Sequence, residues 1–123
     1  MKYFVLSVIG IVFLFALGCD SGNVKGTGTV TYSSGEPVPG GMIIFVTSTN
    51  QYTGDIVNGE FTLGGIRPGD GLPPGNYQVC ITGSDASEQP FVPRKYWSVE
   101  TSGLSFEVQK GSRNFFEIEV EKP

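Results

Sequence analysis

The chain has 123 residues, with 8 basic and 12 acidic side chains, no histidine and a formal net charge of −4. The lack of histidine excludes Ser-His-Asp and Cys-His catalysis in their usual forms and removes the commonest metal ligand. The mildly acidic balance gives no basic footprint for nucleic acid, and the 18 glycines and 8 prolines predict many short strands separated by turns.

The first element is an apolar run from Phe4 to Leu17, interrupted only by Ser7 and Gly10 and preceded by the single basic residue Lys2. Its 14 residues match the core of an export signal. A membrane-spanning helix needs roughly 20 apolar residues, so the run is too short for a permanent span. We therefore predict a processed signal over residues 1–18, followed by a short polar tether over residues 19–23.

The sequence "ALGC" at the end of this run resembles the lipobox of bacterial lipoproteins, with Ala16 at the place usually held by Leu or Val. The resemblance implies that the Cys19 thiol carries a diacylglycerol group and that the chain is cut just before it. Acyl chains such as palmitate would then hold the protein to the bacterial cell membrane or outer membrane, with its domain in the periplasm or at the cell surface. The alternative is an ordinary signal peptide with a free cysteine near its cleavage site.

Removal of residues 1–18 would leave 105 residues, which is enough for one domain. Lys2 is the only charged residue lost, so 7 basic and 12 acidic side chains remain and the net charge becomes −5. This sign disfavours direct binding to anionic lipid, so we expect the lipid anchor alone to contact the membrane. If Cys19 is acylated, Cys80 has no partner for an intramolecular disulfide, and the domain must rely on its core.

The remaining sequence predicts about seven strands and no convincing helix. Asn58-Gly59 lies between two β-like segments and predicts a type I′ hairpin, because both central residues of that turn need a positive φ. Two long connections, residues 64–75 and 84–103, show no periodicity. The predicted strands, in chain order, lie in "VKGTGTVTY", "MIIFVTS", "YTGDIV", "EFTL", "NYQVCITG", "LSFEVQKG" and "SRNFFEIEVEKP".

Strict alternation in the last three of these strands indicates one buried face and one wet face, as in two packed sheets. We therefore predict an all-β fold for residues 24–123, an antiparallel β-sandwich of about seven strands preceded by the hydrophobic signal segment. The side chains expected in the core on this basis are Tyr77, Val79, Ile81, Phe106, Phe116 and Ile118.

The segments "GTVTYSSGEPVPGGMIIFV", "VNGEFTL" and "LPPGNYQVCI" resemble, in this order, the carboxypeptidase-regulatory-like domain. The resemblance covers nearly the whole of residues 24–123. It implies a prealbumin-like (transthyretin-like) or Ig-like sandwich related to the Cna-B modules, and the chain also resembles small bacterial lipoproteins built from a signal and one such domain. The module carries no peptidase chemistry of its own, so the resemblance points to a fold rather than to a reaction.

The stretch "FVPRKYW" contains the candidate interaction surface, which consists of Arg94, Lys95, Tyr96 and Trp97. Arginine and aromatic residues are favoured anchors in protein interfaces. The alternative is that Tyr96 and Trp97 pin a long loop onto the sandwich.

The acidic residues Asp55, Asp70 and Asp85 are widely spaced and do not form a recognisable ligand set. We therefore predict no metal site, no cofactor and no catalytic residue, with a calcium ion at Asp70 as a weaker alternative.

These observations predict a lipid-anchored cell-envelope protein with a non-catalytic β-sandwich and a structural or protein-binding role. Besides the membrane, the expected partner is another envelope protein or a polysaccharide, and no nucleic acid is expected. The first alternative is a carbohydrate-binding module, which an exposed, coplanar pair of Tyr96 and Trp97 would favour. The second is a small hydrolase, which a deep cleft with two convergent carboxylates would favour.

The lipoprotein prediction is tested at Cys19. The Cys19→Ser substitution should abolish incorporation of an alkyne-labelled fatty acid and leave the precursor uncut, because the acyl group is attached to the thiol. In-gel detection of the label measures this, and a wild-type chain that takes up no label would contradict the prediction.

Overall fold

The computed structural model describes residues 23–64, 70–110 and 114–123. The predicted signal (residues 1–18), Cys19 and all of the tether except Asn23 lie outside the described residues. The helical segments within the described ranges are too short and too polar to cross a membrane.

Seven strands are present in the described part of the chain, which agrees with the predicted number. Two one-turn helices interrupt the second long connection, where no helix was predicted. The elements are β1 (Gly26–Tyr32), β2 (Met42–Val46), β3 (Gln51–Asp55), β4 (Glu60–Thr62), β5 (Gly75–Thr82), a 3₁₀ turn (Arg94–Trp97), α1 (Val99–Ser102), β6 (Leu104–Val108) and β7 (Asn114–Val120).

The strands form two sheets, one with the order β4-β1-β7 and the other with the order β3-β2-β5-β6. The prediction of a wholly antiparallel sandwich is wrong at one pair, because β1 and β7 are parallel from Gly26–Asn114 to Tyr32–Val120. Between these two strands the chain crosses to the four-stranded sheet and back twice, and a connection of that length permits parallel pairing.

The core lies between the sheets and centres on Phe45, whose side chain is fully buried. Its ring centre is 5.3 Å from that of Phe116, 5.9 Å from Tyr77, 6.0 Å from Phe106 and 6.5 Å from Phe61. These rings come from four other strands, and such tilted or offset pairs add to the hydrophobic stabilisation of the surface that they bury.

The predicted alternation is confirmed in β6 and β7, but β5 departs from it because Val79, Cys80 and Ile81 are all buried. Five of the six side chains expected in the core are buried: Tyr77, Val79, Ile81, Phe116 and Ile118. The sixth, Phe106, is half-buried. It lies on β6, an edge strand of the four-stranded sheet, so a neighbouring strand of this sheet covers its side chain on one side only. In β7 every second residue from Asn114 to Val120 is buried and the residues between them are exposed.

The predicted turn at Asn58-Gly59 is confirmed, with φ values of 51° and 83°. However, the strands that it joins belong to different sheets, β3 to the four-stranded sheet and β4 to the three-stranded one. Two backbone hydrogen bonds of 2.9 Å between Thr53 and Gly64 connect the sheets at this edge. Gly54 is required here, because a Cβ atom at this position would lie 2.5 Å from the Thr62 carbonyl oxygen.

Two neighbouring phenylalanines on β7 test the position of the core. Phe116→Ala should lower the free energy of unfolding by about 3–5 kcal/mol, because it removes a buried ring from the aromatic cluster. Phe115→Ala is the matched control, since Phe115 is 55% exposed and surface substitutions usually change stability by less than about 0.5 kcal/mol. Equilibrium urea unfolding measures both values, and equal losses would contradict the register of β7.

The buried hydroxyl of Tyr77 should make the fold less stable at high pH. Its hydroxyl donates a hydrogen bond of 2.6 Å to the Pro73 carbonyl, and burial, followed by the electrostatic effect of Tyr52, raises the pKa of Tyr77 to about 12. A tyrosine pKa that is higher in the folded than in the unfolded chain stabilises the fold below pH 10. That stabilisation disappears between pH 10 and 12, at about 1.4 kcal/mol per pH unit. Tyr77→Phe should make the free energy of unfolding, measured by urea unfolding, fall less steeply between pH 10 and 12. An unchanged slope would contradict the raised pKa of Tyr77.

Candidate functional site

The four residues predicted as an interaction surface form the 3₁₀ turn between β5 and β6. Pro93 precedes the turn with φ −59° and ψ 157°, and its carbonyl accepts a hydrogen bond of 3.0 Å from the Tyr96 N–H. Because the ring of proline fixes φ near this value, the chain enters the turn with little conformational freedom. The turn is therefore set up locally by Pro93 and Arg94–Trp97.

The helix α1 follows directly and is joined to the turn by side chains. Ser98 caps its first turn by accepting a hydrogen bond of 3.3 Å from the Glu100 N–H. The Ser98 hydroxyl also donates to the Glu100 carboxylate, which, together with the backbone N–H of Glu100, lowers the pKa of Glu100. Thr101 donates a 2.7 Å hydrogen bond from Oγ1 to the Lys95 carbonyl, so the two short helices form one unit.

Tyr96 fixes this unit to the end of β7. Its side chain is buried, and its hydroxyl oxygen accepts a hydrogen bond of 3.2 Å from the backbone N–H of Glu121. Lys95 Nζ lies 2.7 Å from the Glu121 carboxylate, and this hydrogen bond raises the pKa of Lys95. The Lys95 ammonium also lies 5.2 Å from the centre of the Tyr96 ring. Two neighbouring residues therefore bind Glu121, the residue that directly follows β7.

Trp97 lies partly on the surface, with 38% of its area exposed. Its indole N–H donates a hydrogen bond of 3.1 Å to the Val92 carbonyl, and the Arg94 guanidinium carbon lies 5.2 Å from the ring centre. The polar atom of the indole is thus already paired, and the exposed part of the ring lies next to a positive charge. Such a pair can contact an apolar or aromatic group and a carboxylate at the same time.

Only part of the predicted surface is therefore accessible to a partner, and the rest is buried in the domain. Arg94 and Lys95 are exposed, Trp97 is partly exposed, and Tyr96 is buried beneath them. The exposed, coplanar pair of Tyr96 and Trp97 that would favour carbohydrate binding is not formed, because Tyr96 points into the domain. Glu121 was not predicted as part of this surface, because it lies 25 residues beyond Tyr96 and no local motif connects the two.

Cys80 lies on β5, where α1 and the 3₁₀ turn contact this strand. Its side chain lies on the face opposite Val79 and Ile81, as the alternation predicts, but it is buried there, whereas a wet face was predicted. Burial, and to a smaller extent the negative charge of Glu100, raises the pKa of the thiol. Cys80 is therefore held as a neutral thiol, which is a poor nucleophile and a poor metal ligand.

The acidic residues singled out in the sequence have separate local environments. Asp85 accepts hydrogen bonds of 2.8 and 3.0 Å from the N–H groups of Ser87 and Gln89, so its carboxylate organises a turn. Within residues 23–64, 70–110 and 114–123, no three cysteine, aspartate or glutamate side chains lie close enough together to hold a metal ion.

One described groove contains two carboxylates. It has a volume of about 540 Å³, lies beside the Asn58-Gly59 turn and is lined by Asp55 and Glu60, among others. Both of these residues are exposed. A carboxyl group that acts as a general acid is normally set in a desolvated environment, which these two positions do not provide.

The chain matches no family model, no curated protein and no solved structure. The resemblance to the carboxypeptidase-regulatory-like domain stays a prediction, as does the lipidation of Cys19.

The two side chains that bind Glu121 should differ sharply in their contribution to stability. Tyr96→Ala should lower the urea midpoint strongly, because it removes a buried ring and leaves the Glu121 N–H without its acceptor. Lys95→Ala is the control and should change the midpoint little, because an ion pair between exposed side chains contributes little. Circular dichroism during urea unfolding measures both, and an equal effect of the two substitutions would contradict the proposed role of Tyr96.

Proposed function

We propose that this chain is a lipid-anchored protein of the bacterial cell envelope whose β-sandwich is a non-catalytic module that binds another envelope protein. The anchor is the Cys19 thiol, for which the "ALGC" sequence after a 14-residue apolar run is the support. The binding surface is the exposed part of the segment Arg94–Trp97.

The sandwich is proposed to be of the carboxypeptidase-regulatory-like kind. Seven strands in sheets of three and four are compatible with it. The "PPGNYQV" sequence that carries the resemblance turns Tyr77 into the core, where its hydroxyl bonds to the Pro73 carbonyl. This contact gives the sequence a role in folding, so the resemblance supports a scaffold rather than a reaction.

The observation that carries the binding role is that Trp97 is partly exposed on a segment that is otherwise held firmly. The hydrogen bonds of Tyr96, Trp97 and Thr101 fix the backbone on which the indole lies. A side chain that is already ordered loses little entropy when a partner binds, which is why rigid aromatic groups make good anchors.

The positive charge of Arg94 beside the Trp97 ring indicates which chemical groups a partner should present. Arg94 is one of 8 basic residues in a chain with 12 acidic ones, and its guanidinium lies next to the exposed indole. We therefore propose that the partner presents a carboxylate beside an apolar or aromatic group, because this combination matches Arg94 and Trp97 together.

Site-specific photo-crosslinking in intact cells tests this surface. A photoreactive phenylalanine analogue at position 95 of the full chain should give a discrete adduct with one envelope protein, because this exposed position adjoins Arg94 and leaves both Arg94 and Trp97 in place. The matched control is the same analogue at position 107, which is exposed on β6.

A charge reversal nearby completes the test. With the analogue at position 107 as the blank, the reporter at position 95 should lose its adduct when Arg94→Glu is introduced, because the partner's carboxylate is then repelled. The unfolding midpoint should stay unchanged, since Arg94 is exposed. Adducts of equal yield at positions 95 and 107, or a reporter at position 95 that is unaffected by Arg94→Glu, would contradict the proposed surface.

A further inference from the structure

A second feature of the surface is the outer edge of β7, which is distinct from the exposed side chains of Arg94, Lys95 and Trp97 and does not involve the proposed anchor. β7 is at the end of the sheet order β4-β1-β7, so that among the described residues only β1 pairs with it. With seven residues it is also longer than the edge strands β3, β4 and β6.

The backbone groups that face this edge can be identified from the bonds on the other side. The Asn114 N–H donates to the Lys25 carbonyl at 3.3 Å, and the Val120 carbonyl accepts from the Ser33 N–H at 2.9 Å. Because backbone direction alternates along a strand, the even-numbered residues of β7 face β1 and the odd-numbered residues face away.

The next odd-numbered residue after the strand confirms this alternation. The Glu121 N–H faces away from β1 and is bonded to the Tyr96 hydroxyl, so Tyr96 closes the far end of the edge. The N–H and C=O groups of Phe115, Glu117 and Glu119 remain, and they form an open row in the described part of the molecule.

Proteins usually protect such an edge with charged side chains, lysine above all, with a proline, a bulge or a short strand, or with a covering helix or loop. The sequence of β7, "NFFEIEV", contains no lysine and no proline, and its pairing with β1 runs without a bulge over all seven residues. Its exposed face instead carries Phe115, Glu117 and Glu119. The two ion pairs of the described residues engage Glu121 and Glu36, and neither uses Glu117 or Glu119.

The side chains on the inner face of the edge are apolar. The Phe116 ring lies 5.4 Å from the ring of Phe106, which is half-buried on the edge strand β6. A strand added to β7 would therefore place alternate side chains beside this aromatic rim and the others opposite Glu117 and Glu119.

We propose that the free edge of β7 binds an extended segment of another protein by strand addition, and that this segment alternates basic and apolar residues. Main-chain hydrogen bonds to Phe115, Glu117 and Glu119 supply the pairing, and side chains supply the selectivity. Lysine or arginine opposite Glu117 and Glu119 is favourable, whereas like charges directly opposite destabilise a strand pair. A second copy of β7 would place glutamates near each other, which disfavours self-pairing.

The test uses the full chain in nanodiscs of zwitterionic lipid, with empty nanodiscs as the blank. The probe is a short fluorescent peptide of alternating lysine and valine, and the comparison peptide alternates glutamate and valine. The lysine peptide should bind at least about ten-fold more tightly, and residue-resolved amide exchange should show new protection at residues 115, 117 and 119.

Two variants separate charge from backbone pairing. Glu117→Lys/Glu119→Lys should weaken binding of the lysine peptide about ten-fold and strengthen binding of the glutamate peptide. The control Asp55→Lys/Glu60→Lys changes the net charge equally on β3 and β4, at the opposite side of the sandwich, and should retain binding of the lysine peptide. Glu117→Pro removes one outward N–H without breaking the pairing with β1, so it should weaken both peptides while the unfolding midpoint is kept.

Several results would overturn the proposal. The first is that the amides of residues 115, 117 and 119 are already protected from exchange in the free chain. The second is that a dimer of this chain protects them without peptide. Another is binding that follows net charge, so that the control variant loses the lysine peptide as strongly as the β7 variant does. The absence of any binding of the lysine peptide, or binding without protection of these three amides, would also overturn it.

Discussion

The contacts of the Phe45 ring hold the two sheets together. Phe45 lies on β2, in the four-stranded sheet, and contacts Tyr77 and Phe106 within that sheet and Phe61 and Phe116 in the other one. A domain of this size with no disulfide among its described residues depends on such a cluster, because the apolar area that it can bury is limited. The strand faces, and with them the edge and loop surfaces, are fixed by which side chains must reach this ring.

Much of the fold could be predicted because the physical signal is local. The alternation of β7 shows which of its residues are buried, and the need for a positive φ at Asn58 and Gly59 marks the turn. The parallel pairing of β1 and β7 could not be predicted in this way, since a half-buried strand has the same period whichever direction its neighbour runs. The assignment of β3 and β4 to different sheets is likewise set by packing and not by the turn.

The candidate site shows the same division. Proline, arginine and two aromatic residues in one loop marked the segment, and composition was sufficient for that step. Composition could not show that Tyr96 points inward while Trp97 stays at the surface, because this depends on the N–H of Glu121 at the end of β7. The two helical turns were also missed, since four residues are too few to show a helical period.

The parallel direction of β1 and β7 also places the start of β1 and the Arg94–Trp97 segment at opposite ends of the sandwich. Both strands begin at one pole of the sandwich, at Gly26 and Asn114, and end at the other pole, roughly 20 Å away. Tyr96 is bonded to Glu121, so the Arg94–Trp97 segment lies near the pole where the strands end. The chain enters β1 at the first pole, so the proposed anchor at Cys19 would leave the exposed Trp97 on the membrane-distal side, where a partner could approach without displacing lipid.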